Sequence, residues 1–95
     1  MTARAIAFLA FGIVAAAQGN SDNVRNLNNR VLQLHGAIQR AANAAEVAQI
    51  RSQASPVIAE RAVALTTLIR QDPGAALSLA FPRELRDDLA SKFPA

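Results

Sequence analysis

The sequence predicts an all-α fold, in which a signal peptide precedes an antiparallel helical hairpin and two short closing helices. Apolar residues recur at alternating steps of three and four along residues 24–38, which is the period of an α-helix. No segment alternates apolar and polar residues as a half-buried strand does, and no Asn-Gly or Asp-Gly turn separates apolar runs. A chain of 95 residues allows at most one small domain.

The amino terminus has the pattern of a secretory signal peptide. Residues 1–4 carry one positive charge, and an apolar run follows over residues 5–17. Ala15 and Ala17 supply the small residues that a signal peptidase recognises, so we predict cleavage before Gln18. The run is shorter than the about 20 apolar residues of a membrane-spanning helix, and export to the periplasm or the extracellular space follows. An uncleaved anchor or a buried helix is the alternative.

The charge balance argues against nucleic acid as a partner. Ten Lys and Arg residues face seven Asp and Glu residues, and loss of Arg4 with the leader would lower the net charge from +3 to +2. The arginines are spread thinly, without runs or interleaved aromatic residues. The chain has no cysteine, so it forms no disulfide and its stability must come from packing alone. A small chain without disulfides tends to depend on a partner.

The first long helix is expected after a polar hinge at residues 18–23, with Ser21 or Asp22 as its cap. It extends from about Asp22 to Gln53, either whole or broken at Asn43, where Asn-Ala-Ala-Glu matches a capping box. One face forms an apolar seam of five residues: Val24, Leu27, Val31, Leu34 and Ile38. The flanking positions are rich in Asn rather than in opposed charges, which favours packing within the chain over a coil between chains. A homodimer through this seam stays open as the alternative.

Prolines punctuate the second half of the chain. Ser55-Pro56 predicts the start of a second long helix that ends at Arg70. Its apolar stripe is expected at Ile58, Ala62, Leu65 and Ile69, widened by Val57, Val63 and Leu68. Asp72-Pro73 repeats the same device, and Pro82 forces another break before the last helix. Two short helices are marginal alone, so they should dock on the Pro56 helix through Leu77, Phe81, Leu85 and Leu89.

The closing third of the chain has a distinctive spacing of leucine, alanine, proline and charged residues: Leu68, Ile69, Asp72, Pro73, Ala76, Leu77, Leu79, Ala80, Pro82, Arg86 and Leu89. In this spacing it resembles the leader-proximal helical region of many large secreted bacterial proteins. The resemblance implies a helical preface to downstream domains, often hydrolytic or adhesive ones, with no catalytic residue of its own.

No catalytic, cofactor-binding or metal-ligating motif is present in the sequence. His35 is the only histidine, and the acids nearest to it in sequence are not at the spacing of a helical ligand pair, so it is expected to be a partly exposed helical residue. Glu84 and Asp88 share a helix face, but the neighbouring arginines favour a solvated, ion-paired surface over acid–base chemistry.

These observations predict a non-enzymatic, exported helical region without a cofactor. It would position, shield or dock a protein partner or a downstream domain of the same chain, without contacting the membrane after the leader is removed. The alternative is a small self-contained periplasmic protein that dimerises or binds a protein partner.

Overall fold

The computed structural model describes the backbone of residues 2–94 and the side chains of residues 18–94. The described chain folds into four α-helices without a strand, which confirms the all-helical prediction. They are α1 (Thr2–Gln39), α2 (Ala44–Gln71), α3 (Pro73–Leu79) and α4 (Arg83–Lys92). Within this part of the chain, none of the helices has both the length and the apolar character needed to cross a membrane.

The predicted leader lies where side chains are not described, so Ala15 and Ala17 fall outside the described residues and cleavage before Gln18 stays a prediction. The predicted polar hinge is not observed, because α1 runs through residues 18–23 without interruption. Ser21 and Asp22 are therefore not helix caps. Asp22 instead accepts a hydrogen bond from the Arg25 guanidinium at 3.0 Å, one turn further along the same helix.

The break between α1 and α2 follows the predicted capping box. The Asn43 side chain accepts a hydrogen bond from the Glu46 backbone N–H at 2.9 Å. In return, the Glu46 carboxylate accepts one from the Ala42 backbone N–H at 3.0 Å. Free amides at the start of α2 are satisfied in this way, and the predicted long helix is a broken pair.

The predicted helix start at Ser55-Pro56 is wrong, because Pro56 lies inside α2. Ala54 and Val57, on either side of the proline, are both buried. The packing of this face holds the backbone helical, although a proline cannot donate to the carbonyl one turn earlier, at Ser52. Pro56 itself is exposed, so its ring lies on the solvent side of α2.

The later punctuation is as predicted. The Asp72 side chain caps α3 by accepting from the Ala75 backbone N–H at 3.1 Å, and Pro73 is the first residue of that helix. Pro82 stands immediately before α4 and supplies no side-chain cap. Proline at the first helical position loses no hydrogen bond, which suits Pro73 to the start of α3, as predicted.

The predicted seam is covered by α2. Val24, Leu27, Val31 and Ile38 are buried, and Leu34 is half-buried. Val24 packs in one cluster with Leu68 and Ala76, and a second cluster joins Leu27 and Val31 to Val57.

The predicted stripe on the second helix is confirmed in part. Its members Ile58 and Leu65 are half-buried against the core clusters, and two of the residues expected to widen it, Val57 and Leu68, are buried. The remaining members are exposed: Ala62, Val63 and Ile69.

The short helices dock through only some of the expected residues. Phe81 and Leu89 pack on the cluster of Leu27, Val31 and Val57, but the backbone of α4 approaches α1 and not α2, so the predicted docking of the last helix on the second long helix is not observed. Leu77 is 78% exposed, which contradicts its predicted contact, and Ala76 and Leu79 take that role against the Val24 cluster. Leu85 is half-buried but belongs to neither cluster.

The position of Pro56 gives a stability prediction. Replacing it with alanine restores an N–H donor for the Ser52 carbonyl, so Pro56→Ala should raise the free energy of unfolding by about 1–3 kcal/mol in urea denaturation. Pro73→Ala is the matched control, because that proline begins a helix; it should be neutral or slightly destabilising. Equal effects of the two substitutions would contradict an uninterrupted α2.

Candidate functional site

A buried asparagine connects three parts of the fold. Asn28 is 8% exposed and lies on α1 beside the apolar seam. Its Nδ2 donates to the Leu79 carbonyl at the end of α3, at 2.9 Å. Its Oδ1 accepts from Nε of Arg61 on α2. Both sides of the amide are therefore used, which is what makes its burial tolerable.

Arg61 occupies a position that an apolar residue would fill in a regular seam. It lies four residues after the buried Val57, and its guanidinium carbon stacks over the Phe81 ring, 4.1 Å from the centroid. Burial of the guanidinium lowers the pKa of Arg61 from its usual value. Among the side chains of residues 18–94, no carboxylate forms an ion pair with it.

Arg61 also forms one wall of a groove between α1, α2 and α4, which we call the cationic groove. Its volume is about 190 Å³. Apolar side chains provide most of the lining, and Arg86 on α4 adds a second guanidinium. Arg86 is exposed and, within the described part of the chain, forms no ion pair. The apolar lining consists of Val31, Ile58, Phe81, Leu89, Ala90 and Phe93.

His35 is a partly exposed helical residue, as predicted, and it attaches α4 to α1. Its side chain is 14% exposed, and its Nε2 hydrogen-bonds the Asp88 carboxylate. Lys92 donates to the same carboxylate at 2.9 Å. The hydrogen bond with His35, followed by that with Lys92, lowers the pKa of Asp88 below its usual value. Glu84 is exposed, as expected for a solvated helix face, but Asp88 pairs with His35 and Lys92 and not with a neighbouring arginine.

A second groove, which we call the apolar groove, lies where α2 meets α3. Its volume is about 220 Å³, and its lining contains no charged side chain. Ile69 is 51% exposed and Leu77 is 78% exposed. The lining consists of Leu65, Ile69, Pro73, Ala76, Leu77 and Ala80. Two large apolar side chains are therefore exposed beside each other at this groove.

Among residues 18–94, the structure brings together no group of three or more His, Asp and Glu side chains that would hold a metal ion. Of the predicted seam and helix-punctuation residues, only Val31 lines the cationic groove and only Pro73 lines the apolar groove. Neither Asn28 nor Arg61 was predicted from the sequence as a functional residue. The signal for Asn28 was available, because it lies next to Leu27 on the buried face of an otherwise Asn-rich helix.

Comparison with protein-family models, curated proteins and solved structures gave no match to this chain.

The Asn28–Arg61 contact gives a double-mutant prediction. Asn28→Leu leaves Arg61 and the Leu79 carbonyl without a partner, so it should lower the free energy of unfolding by about 1–3 kcal/mol. Arg61→Met alone leaves Asn28 unsatisfied and should also destabilise. The double variant should be more stable than the sum of the two losses implies, with a coupling of about 0.5–3 kcal/mol in urea denaturation. Additive losses would mean that the two side chains do not interact.

The His35–Asp88–Lys92 cluster gives a pH prediction. Because the folded-state pKa of Asp88 is lowered, the carboxylate contributes stability above its unfolded-state pKa of about 4, and this is lost as pH falls through the folded-state value. Wild type should therefore exceed Asp88→Asn in thermal midpoint at neutral pH, and the difference should close on acidification below about pH 4. Asp87→Asn is the control, since Asp87 is exposed and should leave the profile unchanged. A difference that is constant with pH would contradict this role of Asp88.

Proposed function

We propose that this chain is a non-enzymatic helical region of an exported protein, and that it docks a partner protein or another domain of the same protein. The observation that carries the proposal is the apolar groove. Leu77 and Ile69 expose large apolar side chains around a cavity of about 220 Å³. That volume suits one or two apolar side chains of an incoming segment, as in the recognition of an apolar helix by a groove.

In this proposal, α1 and α2 form an antiparallel helical hairpin that presents the groove. The order of contacts supports the arrangement. The Asn20 side chain hydrogen-bonds Gln71, and Asn28 hydrogen-bonds Arg61, so partner numbers fall along α2 as they rise along α1. The two short helices close the hairpin, and the outward side of α3 provides Leu77.

Export rests on the sequence of residues 1–17, with Ala15 and Ala17 before a cleavage site at Gln18. The resemblance of the closing third to the leader-proximal region of large secreted bacterial proteins agrees with a docking role, because several of its residues line the apolar groove. They are Ile69, Pro73, Ala76, Leu77 and Ala80. In such a protein, the groove would receive an apolar segment of a downstream domain.

The second candidate is a small self-contained periplasmic protein that dimerises. The seam from Val24 to Ile38 is occupied by α2 within the chain, so a dimer would use the apolar groove instead. Two exposed Leu77 side chains meeting across a two-fold axis would bury apolar area on both copies.

Photo-crosslinking in the native cell tests the docking role. Benzoylphenylalanine in place of Leu77 should yield one dominant adduct, because that side chain lies at the mouth of the groove. The same probe at Val63, an exposed apolar residue outside the groove, is the matched control and should yield none. Ile69→Asp should reduce the Leu77 adduct by about tenfold or more, because a charge in an apolar contact is strongly unfavourable.

The mass of the adduct distinguishes the candidates. An added second protein or an internal link within a longer chain would support docking, and a doubled mass would support the dimer. The N-terminal peptide of the adduct should begin at Gln18. Equal labelling from Val63 and Leu77, or no adduct from Leu77, would contradict the proposal.

A further inference from the structure

We infer that the cationic groove is a binding site for a small monocarboxylate that carries one phenyl-sized apolar group. This goes beyond the docking role, which rests on the apolar groove between α2 and α3. The two sites share no lining residue.

The two positively charged side chains of the groove favour an anionic ligand. Arg61 and Arg86 both line it, and the ion pairs formed among residues 18–94 include neither of them. Arg61 is partly buried and uses Nε to hold Asn28, which leaves its terminal nitrogens as the donors that face a ligand. Two guanidinium groups beside an apolar surface match a carboxylate, because each presents parallel N–H donors to its two oxygens.

The lining and the size of the groove select the rest of the ligand. Apart from the two arginines, every lining residue is apolar, and Phe81 and Phe93 contribute aromatic rings. A groove of about 190 Å³ is comparable to cavities of about 150 Å³ that hold a benzene ring. A compact dianion such as phosphate would leave the apolar wall unused, and a long acyl chain would exceed the volume.

The structure holds Arg61 in position for this role. Its guanidinium stacks over Phe81 at 4.1 Å, and the Asn28 amide fixes its Nε. Little side-chain entropy is therefore lost when an anion binds, which favours affinity in a small site. Arg86 is exposed on α4 and supplies the second, more adaptable contact.

Nuclear magnetic resonance titration of the full chain with 3-phenylpropionate tests the inference. Resonances of Arg61, Arg86 and Phe93 should shift with saturation. The neutral amide, 3-phenylpropionamide, and inorganic phosphate are the matched ligands, and each should bind about tenfold or more weakly, since each lacks one half of the recognised chemistry. Equal binding of the amide or of phosphate would overturn the inference.

Substitutions on α4 provide a second test of the site. Arg86→Met should weaken binding of 3-phenylpropionate by about tenfold without affecting the fold, because Arg86 is exposed and makes no ion pair. Arg83→Met is the control, since Arg83 is on the same helix but does not line the groove, and it should leave the affinity unchanged. Equal losses in both variants would indicate a general charge effect and overturn the site.

The same chemistry occurs in free carboxylic acids and at the C-terminus of a peptide that ends in phenylalanine. A short acetylated peptide ending in Phe with a free carboxylate distinguishes these sources. Tighter binding than 3-phenylpropionate would assign the site to a polypeptide terminus, and weaker binding would assign it to a free acid. Failure of both ligands to shift the groove resonances would overturn the inference.

Discussion

The contact between Asn28 and Arg61 is the constraint on which the arrangement of the helices depends. The remaining contacts between α1 and α2 are largely apolar, and apolar packing alone permits a helix to slip by a turn with little penalty. A buried amide bonded to a half-buried guanidinium has one register in which both groups are satisfied. Asn28 also holds the Leu79 carbonyl, so the same residue fixes the end of α3.

Both grooves follow from this constraint. Arg61, once held by Asn28, stacks on Phe81 and so forms the cationic wall between α2 and α4. On the other side, the bond from Asn28 to Leu79 orients α3 so that Ala76 faces the core and Leu77 faces solvent. The exposed leucine is therefore a consequence of the packing and not an accident of a frayed helix.

Prediction from the sequence succeeded where structure is decided locally. Asn43 and Asp72 cap helices because each accepts from an amide three residues ahead, a relation that the sequence alone contains. Pro56 was misread because burial of its neighbours outweighs a lost hydrogen bond, and burial depends on the partner helix. The buried face of α3 could not be predicted either, because apolar residues occupy most of the seven positions of that helix. His35 hydrogen-bonds Asp88, which lies 53 residues further along the chain, and no rule of helical spacing predicts a contact at that separation.

The attachment of α4 explains why a ligand in the cationic groove would matter to the fold. None of its residues is buried, and it is held by the half-buried Leu89, by the contact of Asp88 with His35, and by the Arg51 side chain, which donates to the Lys92 carbonyl at 2.8 Å. Contacts of this kind, partly exposed and few, give an element low local stability. A carboxylate bound by Arg61 of α2 and Arg86 of α4 would link α4, which has no buried residue, to α2, which Asn28 holds in register. Binding would then favour the docked position of α4 over undocked ones, because only the docked position brings the two guanidinium groups to the same ligand.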